Sequence, residues 1–202
     1  MGRKPIEKSR INNPQLKEKW VRELMPEFFS GQLHKSTMDA IAARLSVSKA
    51  TFYKHFKSKY EILEAVVDMK TKEIFKFSEV LDNQLLSFED RFNNAVKVAS
   101  VELAGITTDF LFYLKNSFEE LWQRIIDFLD TVTGRIQVFY QEGIDAGIVR
   151  NHDAFLLALT DKIIITSLSD PQFLKDNNLS LPAAIEGYFT IKSYGIFKNK
   201  NE

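Results

Sequence analysis

Apolar residues recur along this chain at intervals of three and four, and alternation with period two is scarce, so the pattern predicts an all-α fold. A first helix starts after Asn13, a side chain suited to N-capping, with Pro14 at its first position and Leu16, Trp20, Leu24 and Phe28 at near-helical spacing. Pro26 lies inside it, where the missing N–H predicts a kink. Two short helices follow between Ser36 and Phe56. A fourth is expected from Ser58 to about Leu81, with Ile62, Leu63, Val66, Ile74, Phe77 and Leu81 on one face, joining one end of the molecule to the other. Then come an amphipathic segment with Phe88, Phe92, Ala95, Ala99 and Leu103, and a short aromatic one around Phe110, Phe112 and Tyr113. The most regular helix runs from Phe118 through Leu121, Trp122, Ile125, Leu129, Val132, Ile136, Phe139 and Tyr140, ending near Gly143 and Gly147. Two more are expected, from about Asp153 to Leu168 and from Ser180 to near Phe197. The first of these is apolar on nearly every side, so other helices must cover it, from this chain or from a second copy.

Charge divides the chain in two. The net charge is zero over 202 residues, yet residues 1–60 hold 13 Lys and Arg against 5 Asp and Glu, a net of +8, and residues 61–202 hold 14 against 22, a net of −8. A basic head on an acidic body is the electrostatic footprint of a DNA reader whose body avoids phosphate, and it suggests two domains, 1–60 and 61–202. The 45% apolar content supports a buried core. Cysteine is absent, which excludes disulfides and thiolate metal sites. The polar start of the chain lacks the apolar region of a signal peptide, and no run approaches about 18 apolar residues, so a soluble cytoplasmic protein without membrane association is expected.

Within the basic part, Thr37 caps a compact helix with Ile41, Ala42 and Leu45 facing inward, and Ser48 caps a second with Val47, Phe52 and Phe56 inward. A small residue where the helices touch, apolar residues at the turn and a polar outer face are what a helix-turn-helix needs to enter a DNA groove. These residues resemble the signature of the tetracycline-repressor (TetR) family. Thr37, Ile41, Ala42, Val47, Ser48, Thr51, Tyr53, His55, Phe56, Ser58 and Lys59 stand at matching positions, over about a quarter of the chain. The resemblance implies a three-helix DNA-binding head, and a body that binds a small effector and dimerises. Thr37, Thr51, Tyr53, His55 and Lys59 would contact phosphates, and Lys49, Ala50 and Lys54, next to Ser48, would meet base edges. Arg3, Lys4, Lys8 and Arg10 are either a minor-groove arm or a solvated basic tail. One departure is Ser46 where the family has its turn glycine, which predicts a left-handed non-glycine residue there.

Phe77, Phe92, Phe110, Phe112, Tyr113, Trp122, Phe128 and Phe139 are candidates to line an apolar effector cavity, with core packing as the alternative. Phe155, Leu156, Leu159, Ile163, Ile164 and Tyr188 are the candidate dimer interface, completing a four-helix bundle with a second copy. The expected partners are double-stranded DNA with an inverted-repeat operator, a second copy and a small apolar effector, with no cofactor. A body serving as a protein-interaction platform is a second reading. A helical-bundle enzyme is a third, and it lacks support: His34, His55 and His152 are far apart, and neither a Glu-x-x-His nor a Gly-rich phosphate loop occurs.

Overall fold

In the computed structural model the described residues are 13–196. Eleven helices follow one another among them: α1 (Pro14–Phe29), α2 (Met38–Arg44), α3 (Lys49–His55), α4 (Lys59–Phe75), α5 (Phe77–Leu81), α6 (Phe88–Leu103), α7 (Thr108–Ser117), α8 (Glu119–Asp145), α9 (Ala154–Ser169), α10 (Pro171–Asp176) and α11 (Leu181–Ile196). The basic residues 3, 4, 8 and 10 lie outside the described part.

Side-chain caps start most of these helices, among them the four expected at Asn13, Thr37, Ser48 and Ser58. Asn13, Thr37, Ser48, Ser58, Ser87, Thr107, Asp153 and Asp170 each accept a hydrogen bond from a backbone N–H two or three residues on. Each such cap is worth about 1 kcal/mol. Helix α1 continues through Pro26 to Phe29, where the Ser30 N–H closes it onto the carbonyls of Pro26 and Phe28.

Two apolar clusters make the core. In the first, Trp20, Leu24 and Phe28 of α1 meet Ile41 of α2, Phe52 of α3, and Ile62, Leu63 and Val66 of α4. Phe110 and Leu114 of α7 and Leu121 of α8 close the same cluster, so packing around the helix-turn-helix continues beyond residue 60. The second cluster lies among α5, α6, α8, α9 and α11, around Phe88, Phe92, Phe139, Tyr140 and Phe189.

The expected single helix from Ser58 to Leu81 is two helices. Its backbone tightens at Lys76, whose N–H reaches the carbonyls of Glu73 and Ile74, and α5 restarts at Phe77. Phe77 thereby meets Phe75 edge-on, with ring centroids 5.6 Å apart, and both Phe77 and Leu81 are buried in the second cluster. Helix α10 was not expected at all. Asp170 ends α9 and caps α10 at once, accepting from the N–H groups of Gln172 and Phe173, with Pro171 at the first position.

Gly143, in α8, is required by close approach: a Cβ there would fall 2.4 Å from Phe88 Cζ and 2.6 Å from Val149 Cγ2. Gly134, earlier in the same helix, has nothing within 4 Å of such a Cβ. Gly143→Ala is therefore expected to destabilise the protein by about 1–3 kcal/mol, and Gly134→Ala to stabilise it by about 0.5–1 kcal/mol, in urea unfolding. Equal effects of the two substitutions would contradict the packing described.

Candidate nucleic-acid interface and body cavity

Helices α2 and α3 are seven residues each, too short to persist alone, and they are held by what they pack on. Phe52, fully buried, lies between Trp20 and Phe56, with ring centroids 6.0 and 5.5 Å away. The turn between the helices is closed by the Val47 N–H on the Ala42 carbonyl (3.2 Å) and the Ser46 N–H on the Ala43 carbonyl (3.0 Å). Ser46 sits at φ 54°, the left-handed conformation expected of a residue in the glycine's place, at a cost of roughly 1 kcal/mol.

Anchoring Phe52 inward turns the other side of α3 to solvent. Ser48, Lys49, Ala50, Tyr53 and Lys54 are exposed, as is Thr37 at the start of α2, and Thr51 is half-buried. Ser48 accepts from the Thr51 N–H (3.1 Å), and the two hydroxyls are 2.8 Å apart. Two of the predicted phosphate contacts are placed differently. The Lys59 ammonium is turned inward and donates to the His34 carbonyl (2.9 Å), and its burial lowers its pKa below the ordinary lysine value. His55 is half-buried and stands edge-on to Trp20 at 5.0 Å, with Nδ1 buried and without a hydrogen-bond partner.

Asp39, which sequence reasoning passed over, organises the exposed face. Its carboxylate accepts from Lys49 Nζ at 2.5 Å and from the Tyr53 hydroxyl at 3.3 Å. The hydrogen bond from Lys49 holds the Asp39 carboxyl below its usual range, and the same bond raises the lysine. Opposite charges ten residues apart across a helix-turn-helix were the available signal.

The body encloses a cavity of about 160 Å³ walled by α4, α6, α8 and their neighbours. Of the eight candidate aromatics, Phe77, Phe92, Phe110, Trp122, Phe128 and Phe139 line it. Phe112 and Tyr113 do not. Helix α7 buries Phe110, Leu111 and Leu114; Phe112 falls on its other side, where Lys175 lies over its ring at 5.8 Å. Tyr113, three residues on from Phe110, keeps to the side of the first cluster and stacks on His34 at 4.1 Å. Aliphatic wall residues such as Ile74, Ile125 and Leu129, and the polar Lys70 and Thr71, were missed because burial alone does not distinguish core from cavity.

Of the candidate interface residues, Phe155, Leu156, Ile163 and Ile164 are exposed on α9, Phe155 at 55%, and Leu159 is half-buried. Ile191 (75% exposed) and Tyr194 (83%) on α11 extend the same kind of surface and were not anticipated. Tyr188 points elsewhere. Its hydroxyl donates to Asp161 Oδ1 at 2.6 Å, beside the Tyr140 hydroxyl on Oδ2 (2.7 Å) and the Lys192 ammonium on Oδ1. Asp161, 1% exposed, is thus fully partnered between α8, α9 and α11.

No group of three or more His, Cys, Asp or Glu among the described residues is arranged to hold a metal ion. Nor is any described helix long and apolar enough to cross a membrane.

Residues 27–66 match the family model described as bacterial regulatory proteins, tetR family. No curated protein sequence matches the chain. Among solved structures, a TetR-family transcriptional regulator from Marinobacter aquaeolei VT8 is 22% identical, covers 84% of this chain and 85% of its own, and superposes with a TM-score of 0.64. A transcriptional regulator in complex with choline, from Saccharomonospora viridis, is 16% identical over 93% of this chain and 100% of its own, with a TM-score of 0.70. The TetR-family regulator PfmR from Thermus thermophilus is 18% identical over 85% and 95%, with a TM-score of 0.59. The helix-turn-helix segment therefore matches the tetR type, and over the 84–93% of the chain that superposes the fold is that of these regulators.

Asp39 sets a carboxylate against two of the candidate DNA-contacting side chains, so its neutral isostere should favour DNA. Asp39→Asn is expected to tighten binding to random-sequence duplex by about three- to tenfold and to steepen the salt dependence. Unchanged affinity in fluorescence anisotropy would show that Lys49 and Tyr53 stay away from DNA.

Proposed function

We propose that the chain is a homodimeric DNA-binding transcriptional regulator of the TetR type, a repressor that leaves an inverted-repeat operator when a small, largely apolar molecule occupies the body cavity. The observation that carries the DNA-binding part is the outer face of α3: Lys49, Ala50, Tyr53 and Lys54 exposed on a helix clamped from behind by Phe52, within the segment that matches the family model. Hydroxyls and lysines there suit phosphate and base-edge contacts in a major groove. Thr37 and Thr51 add hydroxyls near the starts of α2 and α3, where unpaired N–H groups favour phosphate. His55 and Lys59 contribute by bracing α3 and the loop before α2, with direct phosphate contact requiring their side chains to turn outward.

The homodimer is supported by the apolar side chains exposed on α9 and α11, since Phe155, Leu156, Ile163, Ile191 and Tyr194 call for cover. The effector is supported by the cavity. Its size is close to that of an engineered cavity of ~150 Å³ that takes up benzene. Choline belongs to the Saccharomonospora viridis protein; here the one charged residue lining the cavity is the cation Lys70, which repels a second positive charge. Helix α4 supplies the connection, and weakening operator affinity a hundredfold requires the effector to favour the released conformation by about 2.7 kcal/mol.

Selection of duplexes from a random library by the purified protein is expected to yield an inverted repeat with half-sites one helical turn apart. With about six phosphates neutralised, log K should fall against log salt with a slope near −5; a flat response would remove the mechanism. Ile163→Glu is expected to shift the protein to monomers in sedimentation without loss of helical content. A dimer that persists with this variant would place the interface elsewhere.

A further inference from the structure

The cavity has one charged residue in an otherwise mostly apolar wall. Lys70 of α4 lines it with its apolar stem, and its ammonium, covered at the wall, bonds Glu73 of the same helix at 2.9 Å and Glu102 of α6 at 3.0 Å. Glu73 in turn holds Arg22 of α1 at 2.5 Å, so a chain of ion pairs runs from the cavity wall to the first helix of the head. The two carboxylates on Lys70 differ in how easily they can leave. Glu73 is committed to both Lys70 and Arg22 and is nearly buried, its side chain 11% exposed; Glu102 has Lys70 as its ion partner and is 28% exposed. Burial alone would raise the Glu73 carboxyl, and the hydrogen bonds from Lys70 and Arg22 outweigh it and keep it ionised.

A purely apolar occupant leaves these ion pairs untouched. An occupant with its own carboxylate can exchange with Glu102, which rotates into water, and the count of charges around Lys70 stays the same. An anion entering such a wall without a cation to receive it would be strongly disfavoured.

We propose that the cavity's ligand is an amphiphilic carboxylic acid, an apolar body about the size of a benzene ring bearing one carboxylate, and that this carboxylate replaces Glu102 on Lys70. The inference rests on the reading of the cavity as the effector site, and it gives that reading a mechanism. Lys70–Glu102 ties α4 to α6; when the ligand takes over Lys70, that tie is lost while Glu73–Arg22 still links α4 to the head. Helix α4 then has one tie to the body fewer, and its cavity end can shift together with α1. A phosphate dianion is a poorer fit, because a single ammonium that remains bonded to Glu73 cannot supply the donors it needs.

The test is calorimetric titration of the full chain at pH 7 with phenylacetate and with its neutral isostere phenylacetamide. Phenylacetate is expected to bind about tenfold more tightly, a difference of ~1.4 kcal/mol. Glu102→Gln should tighten phenylacetate severalfold and leave the amide unchanged, and Lys70→Met should abolish the preference. If acid and amide bind equally and Glu102→Gln does not separate them, the carboxylate inference is overturned and the cavity remains an effector site for neutral compounds. If neither binds, and neither raises the melting temperature, the effector reading of the cavity falls and this inference falls with it.

Discussion

Helix α4 is packed into two places at once, and the rest of the molecule is arranged around that constraint. Its first turns carry Ile62, Leu63 and Val66 into the cluster that supports the helix-turn-helix. Its later turns put Lys70, Thr71 and Ile74 on the cavity wall. Arg124 of α8 holds it from the side through Glu64 (3.0 Å) and Asp68 (3.1 Å), and the Tyr60 hydroxyl donates to Glu120 at 2.9 Å. Close-packed interiors transmit displacement, so no change at the cavity end of α4 can be confined there. The head is also tied to α7, since Thr107 donates to the Phe29 carbonyl at 2.5 Å and Tyr113 stacks on His34.

The α3 surface follows from the same economy of means. Seven residues cannot form a stable helix unaided, so Phe52 and the turn at Ser46 fix α3 from behind and leave its front for polar side chains. Without DNA, Lys49 and Tyr53 engage Asp39. A surface pair of this kind contributes little to stability, but it orients two side chains and must be exchanged for contacts with DNA. In the proposed function this exchange favours sites that return enough phosphate and base contacts.

Much of this was legible in the sequence because it depends on local chemistry. Asn13, Thr37, Ser48, Ser58 and Asp153 announce helix starts by side-chain type alone, and Ser46 announces its own strained turn. What was not legible depends on direction around a helix or on a distant partner. Phe112 is an aromatic neighbour of Phe110, yet a rotation of 100° per residue takes it off that face; Tyr113 comes back to the face but is taken by His34. Tyr188 looked like interface because it is apolar in bulk; its hydroxyl is claimed by Asp161, twenty-seven residues away. The break at Lys76 lacks glycine or proline and is set by where Phe77 must pack. Lys70 carries no signal of its own in the sequence, because its setting is made by Glu73, the distant Glu102 and the cavity.

The central claim is that cavity and reading helices are coupled through α4, and it can be tested without knowing the effector. The chain has no cysteine, so Ala50→Cys places one spin label on each α3 of the proposed dimer. Dipolar spectroscopy then reports the spacing of the reading helices, first with the cavity empty and then with Ala99→Phe filling it from α6. The account predicts a distance near the 34–36 Å that separates successive major grooves when the cavity is empty, displaced by roughly 3 Å or more when it is filled. Superimposable distance distributions from two folded dimers would contradict it.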